Sequence, residues 1–513
     1  MSKLLLSSGV LFVLFVLINV APLSAAPCES LAGLKLPDTT ITMVQSVAAG
    51  AFSPGGRAGG GRGGAQFGDL PAFCQVAATI KPTSDSDIKI EVWLPASNWN
   101  GKFEAVGNGG WNGNIDQNAL AAGLRRGYAT ASTDTGHEGG GGPWMQNQNK
   151  LIDFGYRAVH EMSEKAKAII AAFYGNNARL SYFNGCSAGG RQALKAAQKF
   201  PQDFDGIVGG SPALNTTGRA AYSIWVAQND HKTEESYLPQ SKFALVHDAV
   251  LEACDAKDGV KDRVLENPRQ CKFDPKVLQC TAGDAANCLS PTQVETTRMM
   301  YQPLVNPGTK KKIFPALEPG SEMGWNTFGG QQPFGIGLQM YQFMVFNDPK
   351  WDYKTLTFDS DMAKVDKTEA GNINAMDPNL NAFFARGGKL IHYHGWADPQ
   401  ITPGSSVDYY QSVLDKMGGI DKVKANYRLF MVPGMGHCGG GDGPASFDML
   451  AALEQWVEKG KAPDSVPAAH LTNGQPDRTR ILCPYPQVAS YKGTGDTNDA
   501  ANFVCTSQNS KID

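Results

Sequence analysis

The chain has 513 residues, 42% of them hydrophobic, and a formal net charge of −3. That length allows several domains or one large elaborated one, and the apolar share is ordinary for a protein that buries a sizeable core. The near-balanced charge gives no electrostatic ground for nucleic acid or an anionic membrane as partner, and no internal repeat stands out.

In chain order, the first element is not part of the fold. Met1-Ser2-Lys3 is a short basic start, Leu4 to Val20 is strongly apolar, and Ser24-Ala25-Ala26 is a small-residue cleavage site. Residues 1–26 therefore read as a secretory signal peptide. An uncleaved anchor is the competing reading, because the run approaches the length of a membrane span; no later stretch does, so no membrane association is expected after cleavage. All ten cysteines lie beyond the cleavage site, which points to an oxidising compartment, secreted or periplasmic. Residues 55–64, Gly-rich with Arg57 and Arg62, form a flexible surface loop by composition.

Lys102 to Val106 reads as a strand that runs into the Gly-rich turn 107–113. Leu180 to Asn184 is a second strand, followed by Gly185-Cys186-Ser187-Ala188-Gly189 and a helix-like run from Gly190 to Ala197. A G-x-S-x-G between strand and helix is the nucleophile elbow of α/β-hydrolases, where small neighbours let the backbone turn sharply and expose the serine oxygen. A serine hydroxyl becomes nucleophilic only when a base takes its proton and an acid orients that base. In this fold the chain order is serine, acid, histidine.

Phe204 to Gly210 is a further strand, ending a first core segment, 27–213. Residues 214–375 lose the strand–helix alternation, carry four cysteines and an aromatic-rich stretch from Trp325 to Trp351, and read as a lid inserted over the pocket. The core resumes in 376–513. Lys389 to Gly395 is a strand whose exit loop holds Asp398, and Tyr427 to Val432 is the next, with His437 in its exit loop. Ligands gather beyond the carboxyl ends of such strands, so Ser187, Asp398 and His437 are the expected triad.

Asp408 is a rival acid, but a helix-like run from Ser405 to Leu414 makes it the poorer choice. His394, at the start of the turn to Asp398, is read as a substrate contact; His392 is expected to point to the opposite face, into the core. His137 either approaches the pocket or serves a Gly-rich turn. Phe447, Leu450, Leu453 and Val457 give the run Ser446–Lys459 an apolar helical stripe that reads as core. The fold expected is an α/β-hydrolase: a mostly parallel sheet flanked by helices, with a large inserted lid.

Cys186 immediately precedes Ser187, and Cys438 immediately follows His437. If serine and histidine lie within hydrogen-bond reach, their neighbours fall within the ~4.4–6.8 Å between Cα atoms that a disulfide needs. A Cys186–Cys438 bond pinning base to nucleophile is therefore predicted.

With these residues in place the chain resembles the tannase and feruloyl esterase family of α/β-hydrolases, which also contains a hydrolase of a terephthalate monoester. The resemblance rests on the cysteine-flanked Ser187 and His437 with Asp398 between them. It extends to Trp99-Asn100-Gly101-Lys102-Phe103, the turn 107–113, Phe200 to Ile207, Cys483-Pro484-Tyr485-Pro486 and Tyr491 to Asp496. It implies hydrolysis of a small aromatic ester, feruloyl or galloyl, attached to plant polysaccharide or tannin. It also implies the pairs Cys28–Cys74, Cys254–Cys271, Cys280–Cys288 and Cys483–Cys505.

Between Cys254 and Cys271, three carboxylates share a short loop and repel one another unless a hard cation sits among them; a solvated acidic turn is the alternative. The resemblance makes this loop a structural Ca2+ site, with Asp255, Asp258 and Asp262 ligating by side chain and Val260 and Val264 by carbonyl. No organic cofactor is expected.

Of the two oxyanion donors, one should be the N–H of Ala188, the residue after the nucleophile; the resemblance supplies Gly110 as the other. Ser187 would attack the ester carbonyl while His437 takes its proton, the alcohol would leave, and water would release the acid. Activity should then fall in acid, because His437 must be neutral. The aromatics Trp325, Phe328, Phe334, Tyr341 and Phe343 would either stack on a phenolic ring or form the lid's own core. The absence of arginine from 325–351 argues against a free carboxylate on the substrate. The rival readings are a serine peptidase or general esterase on the same fold, and a non-catalytic secreted binding protein; oligomeric state is not legible.

Overall fold

The computed structural model describes residues 25–54, 67–283 and 285–507. Residues 1–24 of the expected signal peptide and the Gly-rich stretch 55–64 lie outside the described residues. Seven strands come first: β1 (Thr39–Val47), β2 (Phe73–Ile80), β3 (Ile88–Pro95), β4 (Lys102–Val106), β5 (Ala129–Thr133), β6 (Leu180–Cys186) and β7 (Gly206–Gly210). A small antiparallel pair, β8 (Leu304–Val305) and β9 (Lys312–Phe314), stands apart from the main sheet. Then follow β10 (Lys389–Gly395) and β11 (Tyr427–Val432), and two antiparallel pairs near the C-terminus, β12 (Val466–Thr472) with β13 (Gln475–Leu482) and β14 (Gln487–Tyr491) with β15 (Phe503–Ser507).

The main sheet has nine strands in the order β1-β2-β3-β5-β4-β6-β7-β10-β11. β1, β2, β3 and β5 pair antiparallel, and from β5 to β11 every neighbour is parallel. Every residue of β4, β5 and β7 is buried. Parallel strands are covered by helices on both faces, and β4, β10 and β11 begin and end where the sequence predicts.

The helices of nine or more residues are α1 (Gln117–Arg125), α2 (Ala158–Tyr174), α3 (Ala188–Lys199), α4 (Thr216–Asp230), α5 (Phe243–Cys254), α6 (Pro291–Met300), α7 (Ser360–Glu369), α8 (Gly404–Met417) and α9 (Met449–Lys459). Alternate strand residues meet different layers. Leu390 and Leu429 pack in one core with Met162 and Ile169 of α2 and Leu194 of α3; their neighbours Ile391 and Phe430 join another with Leu453 and Trp456 of α9. α9 starts three residues later than predicted because the Asp448 carboxylate accepts the Ala451 N–H and caps the helix there.

Between β7 and β10, residues 211–388 add no strand to the main sheet. Trp325 and Phe328 are buried in a core made by the insertion itself, with Phe334 packed alongside, whereas Tyr341 is buried, with Phe343 alongside, in a core the insertion shares with Trp111, Met145, Leu151 and Phe154. Of the two roles open to these aromatics, burial selects the structural one for Trp325, Phe328 and Tyr341. All ten cysteines are paired, as Cys28–Cys74, Cys186–Cys438, Cys254–Cys271, Cys280–Cys288 and Cys483–Cys505. No helix among the described residues is long and apolar enough to cross a membrane.

Candidate active site

β6 ends at Cys186 and α3 begins at Ala188, so Ser187 alone makes the turn, at φ 64° and ψ −120°. A left-handed φ is costly for a side chain with a Cβ and persists only where the surroundings hold it. Here the Gly210 carbonyl accepts the Ser187 N–H, and the Ser187 carbonyl accepts the N–H groups of Arg191 and Ala213. The turn also needs close backbone approach. A Cβ on Gly185 would lie 2.7 Å from the Gly189 carbonyl carbon, and one on Gly107 would lie 2.4 Å from the Gly189 Cα.

The loops leaving β10 and β11 bring the other two residues to this turn. Ser187 Oγ is 2.9 Å from His437 Nε2, and His437 Nδ1 is 2.8 Å from Asp398 Oδ2. A carboxylate only accepts, so Nδ1 carries the proton and Nε2 is left to accept from the serine. Asp398 is fully buried, and its Oδ1 accepts the N–H groups of Gln400 and Ile401. Burial opposes its ionisation, but His437 and His394 outweigh that and hold the carboxyl well below the usual carboxylate range. Cys186 and Cys438 are bonded with Cα atoms 6.0 Å apart, joining the turn to the histidine loop.

Two expectations about histidines are corrected. His394 is fully buried and lies behind Asp398, with Nε2 3.1 Å from Asp398 Oδ2; it presents no surface to substrate. His392 is buried in the core as expected, but it does not point away from His394. Residues two apart on a strand share a face, and both imidazoles bond the Ser406 hydroxyl. Asp408, the rival acid, pairs with Lys312 instead, and the acid bonded to His437 is Asp398.

The Gly-rich turn after β4 lies against α3 through Asn108, which sequence reading missed. Its carbonyl accepts the Gly189 N–H at 2.7 Å, and its backbone and side-chain amide both meet the buried Gln192. Gly110 sits on this turn at φ 52°. Ala188 opens α3, so its N–H has no intrahelical acceptor. His137 proves to brace the turn: it stacks on Trp144 with ring centroids 4.0 Å apart, and its Nε2 is 2.7 Å from the Trp111 carbonyl. Burial lowers its pKa and keeps it neutral.

A cavity of about 340 Å³ opens beside His437, lined from the core by Trp396, Gln400 and Asp442 and from the insertion by His247 and Arg263. His247 Nδ1 is 2.8 Å from the buried Glu322 and Nε2 is 3.5 Å from Asp442. Burial works against its charge, but these two carboxylates prevail and push its pKa up to about 9. Arg263 lies outside the stretch 325–351, so the lack of arginine there does not exclude a carboxylate on the substrate.

The acidic loop is far from the triad in sequence, but its Arg263 lines the cavity beside His437. Asp255 accepts the N–H groups of Asp262 and Arg263, Asp258 those of Val260 and Glu266, and Asp262 the N–H of Val264. Arg478 and Arg480 of β13 both reach Asp262. Asp258, Val260, Asp262, Val264 and Glu266 line one small cavity with these arginines. Burial raises Asp258 to about 6, with Asp262 and Asp255 adding to the rise, and raises Glu266 to about 8. The oxygen donors suit a hard cation. Among the described residues, however, no three His, Cys, Asp or Glu side chains are gathered closely enough to hold a metal ion.

The sheet order and the strand–helix turn at its centre define an α/β-hydrolase. The profile of the family described as tannase and feruloyl esterase matches residues 74–506. An uncharacterized esterase of Xanthomonas campestris pv. campestris is 36% identical over 540 aligned positions, covering 95% of this chain and 92% of its own. A probable feruloyl esterase B-2 of Neosartorya fischeri is 35% identical, covering 84% of this chain and 86% of its own. The crystal structure of feruloyl esterase B from Aspergillus oryzae superposes with a TM-score of 0.88 at 32% identity, over 93% of this chain and 99% of that one. The chain belongs to the tannase and feruloyl esterase family, and with it to the carboxylic ester hydrolases.

Proposed function

We propose that the protein is a secreted serine esterase that cleaves esters of phenolic aromatic acids, feruloyl or galloyl, carried on plant polysaccharide or tannin. The observation that carries this reading is the hydrogen-bonded run Ser187–His437–Asp398, at 2.9 and 2.8 Å; the similarity to feruloyl esterases supplies the substrate class. Ser187 attacks the ester carbonyl as its proton passes to His437 Nε2, and Asp398 stabilises the imidazolium that forms. The N–H groups of Ala188 and Gly110 face the charge that develops on the carbonyl oxygen. His437 then gives its proton to the departing alcohol, and water attacks the acyl-enzyme by the same route. The insertion acts as a lid over the cavity beside His437. Five disulfides support secretion.

A panel of methyl ferulate, methyl caffeate, methyl gallate, an aliphatic methyl ester and a peptide anilide tests the substrate class. At least one aromatic ester should turn over tenfold or more faster than the aliphatic ester and the peptide. A faster peptide would assign a peptidase, and a Ser187 unreactive toward a fluorophosphonate would assign a binding protein.

The same reading includes a structural Ca2+ held by Asp255, Asp258, Asp262 and the carbonyls of Val260 and Val264. Asp255 and Asp262 would exchange their present N–H and guanidinium partners for the ion, which would offset the repulsion among the carboxylates of the loop that Cys254–Cys271 closes. A ligand at 100 times its Kd adds about 2.7 kcal/mol to folding stability. Chelation should therefore lower the Tm by several degrees, and calcium should restore it. A Tm unmoved by chelator, with no calcium in elemental analysis, would leave Arg478 and Arg480 as the loop's counter-charges.

A further inference from the structure

Behind the triad a second file of side chains runs into Asp398. His394 and His392 lie on β10, Ser406 on the first turn of α8, and Tyr427 at the start of β11; all four, like Asp398, are fully buried. His394 Nε2 is 3.1 Å from Asp398 Oδ2 and 2.9 Å from the Ile401 carbonyl. Both are acceptors, so Nε2 carries a proton. At the far end, Tyr427 Oη is 2.7 Å from His392 Nδ1. Burial raises that phenol well above its ordinary pKa, so it keeps its proton and donates. Burial, with His394 adding to it, holds His392 neutral, so His392 accepts at Nδ1 and donates from Nε2 to Ser406 Oγ at 2.7 Å. The one Ser406 proton then goes to His394 Nδ1, 2.6 Å away. Each bond has one donor and one acceptor, and every donor points toward Asp398.

We infer that His394 is a positioning residue for the triad acid, locked as its Nε2–H tautomer by Ser406, His392 and Tyr427, and that through Asp398 it weakens the hold of His437 on its proton. The inference rests on the serine esterase reading. Asp398 Oδ2 receives two N–H groups, one from each histidine, so His437 has only part of the carboxylate's lone-pair density. The charged and titratable groups facing this carboxylate are His437 from the loop after β11, His394 from β10 and, from α4, the buried guanidinium of Arg219, which feels its charge. Removing the His394 N–H concentrates the carboxylate on His437 and favours the imidazolium. Hydrolysis needs the neutral imidazole, so the acid limb of kcat/KM moves to higher pH.

Four variants test this by pH–rate profile. His394→Leu should raise the acid limb by about half a pH unit or more and lower kcat roughly tenfold, with KM little changed. His394→Gln, whose amide N–H can take the place of Nε2–H, should recover most of both. Ser406→Ala frees His394 to change tautomer and should move the limb the same way, whereas Ser406→Thr keeps the hydroxyl and should not. This second pair decides the matter should His394→Leu fail to fold. Profiles of His394→Leu and Ser406→Ala that superimpose on the parent, with Ser187→Ala inactive, would overturn the relay alone. An active Ser187→Ala would remove the esterase mechanism beneath it.

Discussion

Ser187→Ala should lower kcat on methyl ferulate, or on whichever aromatic ester the panel favours, by on the order of 10⁵- to 10⁶-fold, the range for serine hydrolases stripped of nucleophile or base. The Tm should stay within a degree or two. The reason for the separation is that the hydroxyl and the turn are held by different atoms. Among the described residues the Ser187 side chain bonds only His437, whereas the left-handed backbone is fixed by the Gly210 carbonyl and the N–H groups of Arg191 and Ala213. Alanine keeps the Cβ, so the conformational cost of the turn neither rises nor falls. His437→Ala should lose activity to a similar degree, and the double variant should be little worse than either, because the two act as a unit. Product acid measured by chromatography, beside a thermal melt, reads both quantities. A Ser187→Ala enzyme that kept more than about one part in a thousand of its activity would place the nucleophile elsewhere.

The parts of this site that were legible in the sequence share one property: each is announced by its immediate neighbours. Ser187 lies between glycines at a strand–helix junction, and Asp398 and His437 leave the strands β10 and β11, which are largely buried. Their flanking cysteines turn a question about distant side chains into one about adjacent ones. What stayed hidden depends on which way a face looks. His392 and His394 must share a side of β10 by their spacing alone, but whether that side meets substrate or α8 is fixed by where Ser406 is carried after the turn at Thr402 and Pro403. Asp262 and its partners Arg478 and Arg480 are more than two hundred residues apart, and only the β12–β13 pairing brings the two arginines to the loop. Asn108 looked like one polar residue in a glycine turn; its role follows from Gly107 having no Cβ, which lets the turn rest on α3.

Removing the Cys186–Cys438 bond should be the most damaging change to stability and activity together. Its cysteines are 252 residues apart, and closing so long a loop restricts the unfolded chain by about 5 kcal/mol in the chain-entropy account. In a chain of this size that corresponds to a Tm lower by about 5 °C. Replacing both cysteines with serine avoids a stray thiol. The catalytic loss has a separate origin. Cys438 stands at φ 62°, a conformation its tether helps to hold, and it adjoins the base. The loop keeps other ties: the Met435 carbonyl accepts the Ala397 N–H, and the Gly440 carbonyl accepts the Gly436 N–H. His437 should therefore stay near Ser187 but lose its alignment, and a misplacement of about 1 Å costs about 10²-fold in rate. Cys280–Cys288 closes a loop of separation 8 within the insertion and provides the control. Its double serine variant should lose about half as much stability and keep its kcat. If the two variants behaved alike, the bond beside the triad would be one more staple of the fold, and the alignment of base and nucleophile would rest on the loop's backbone contacts.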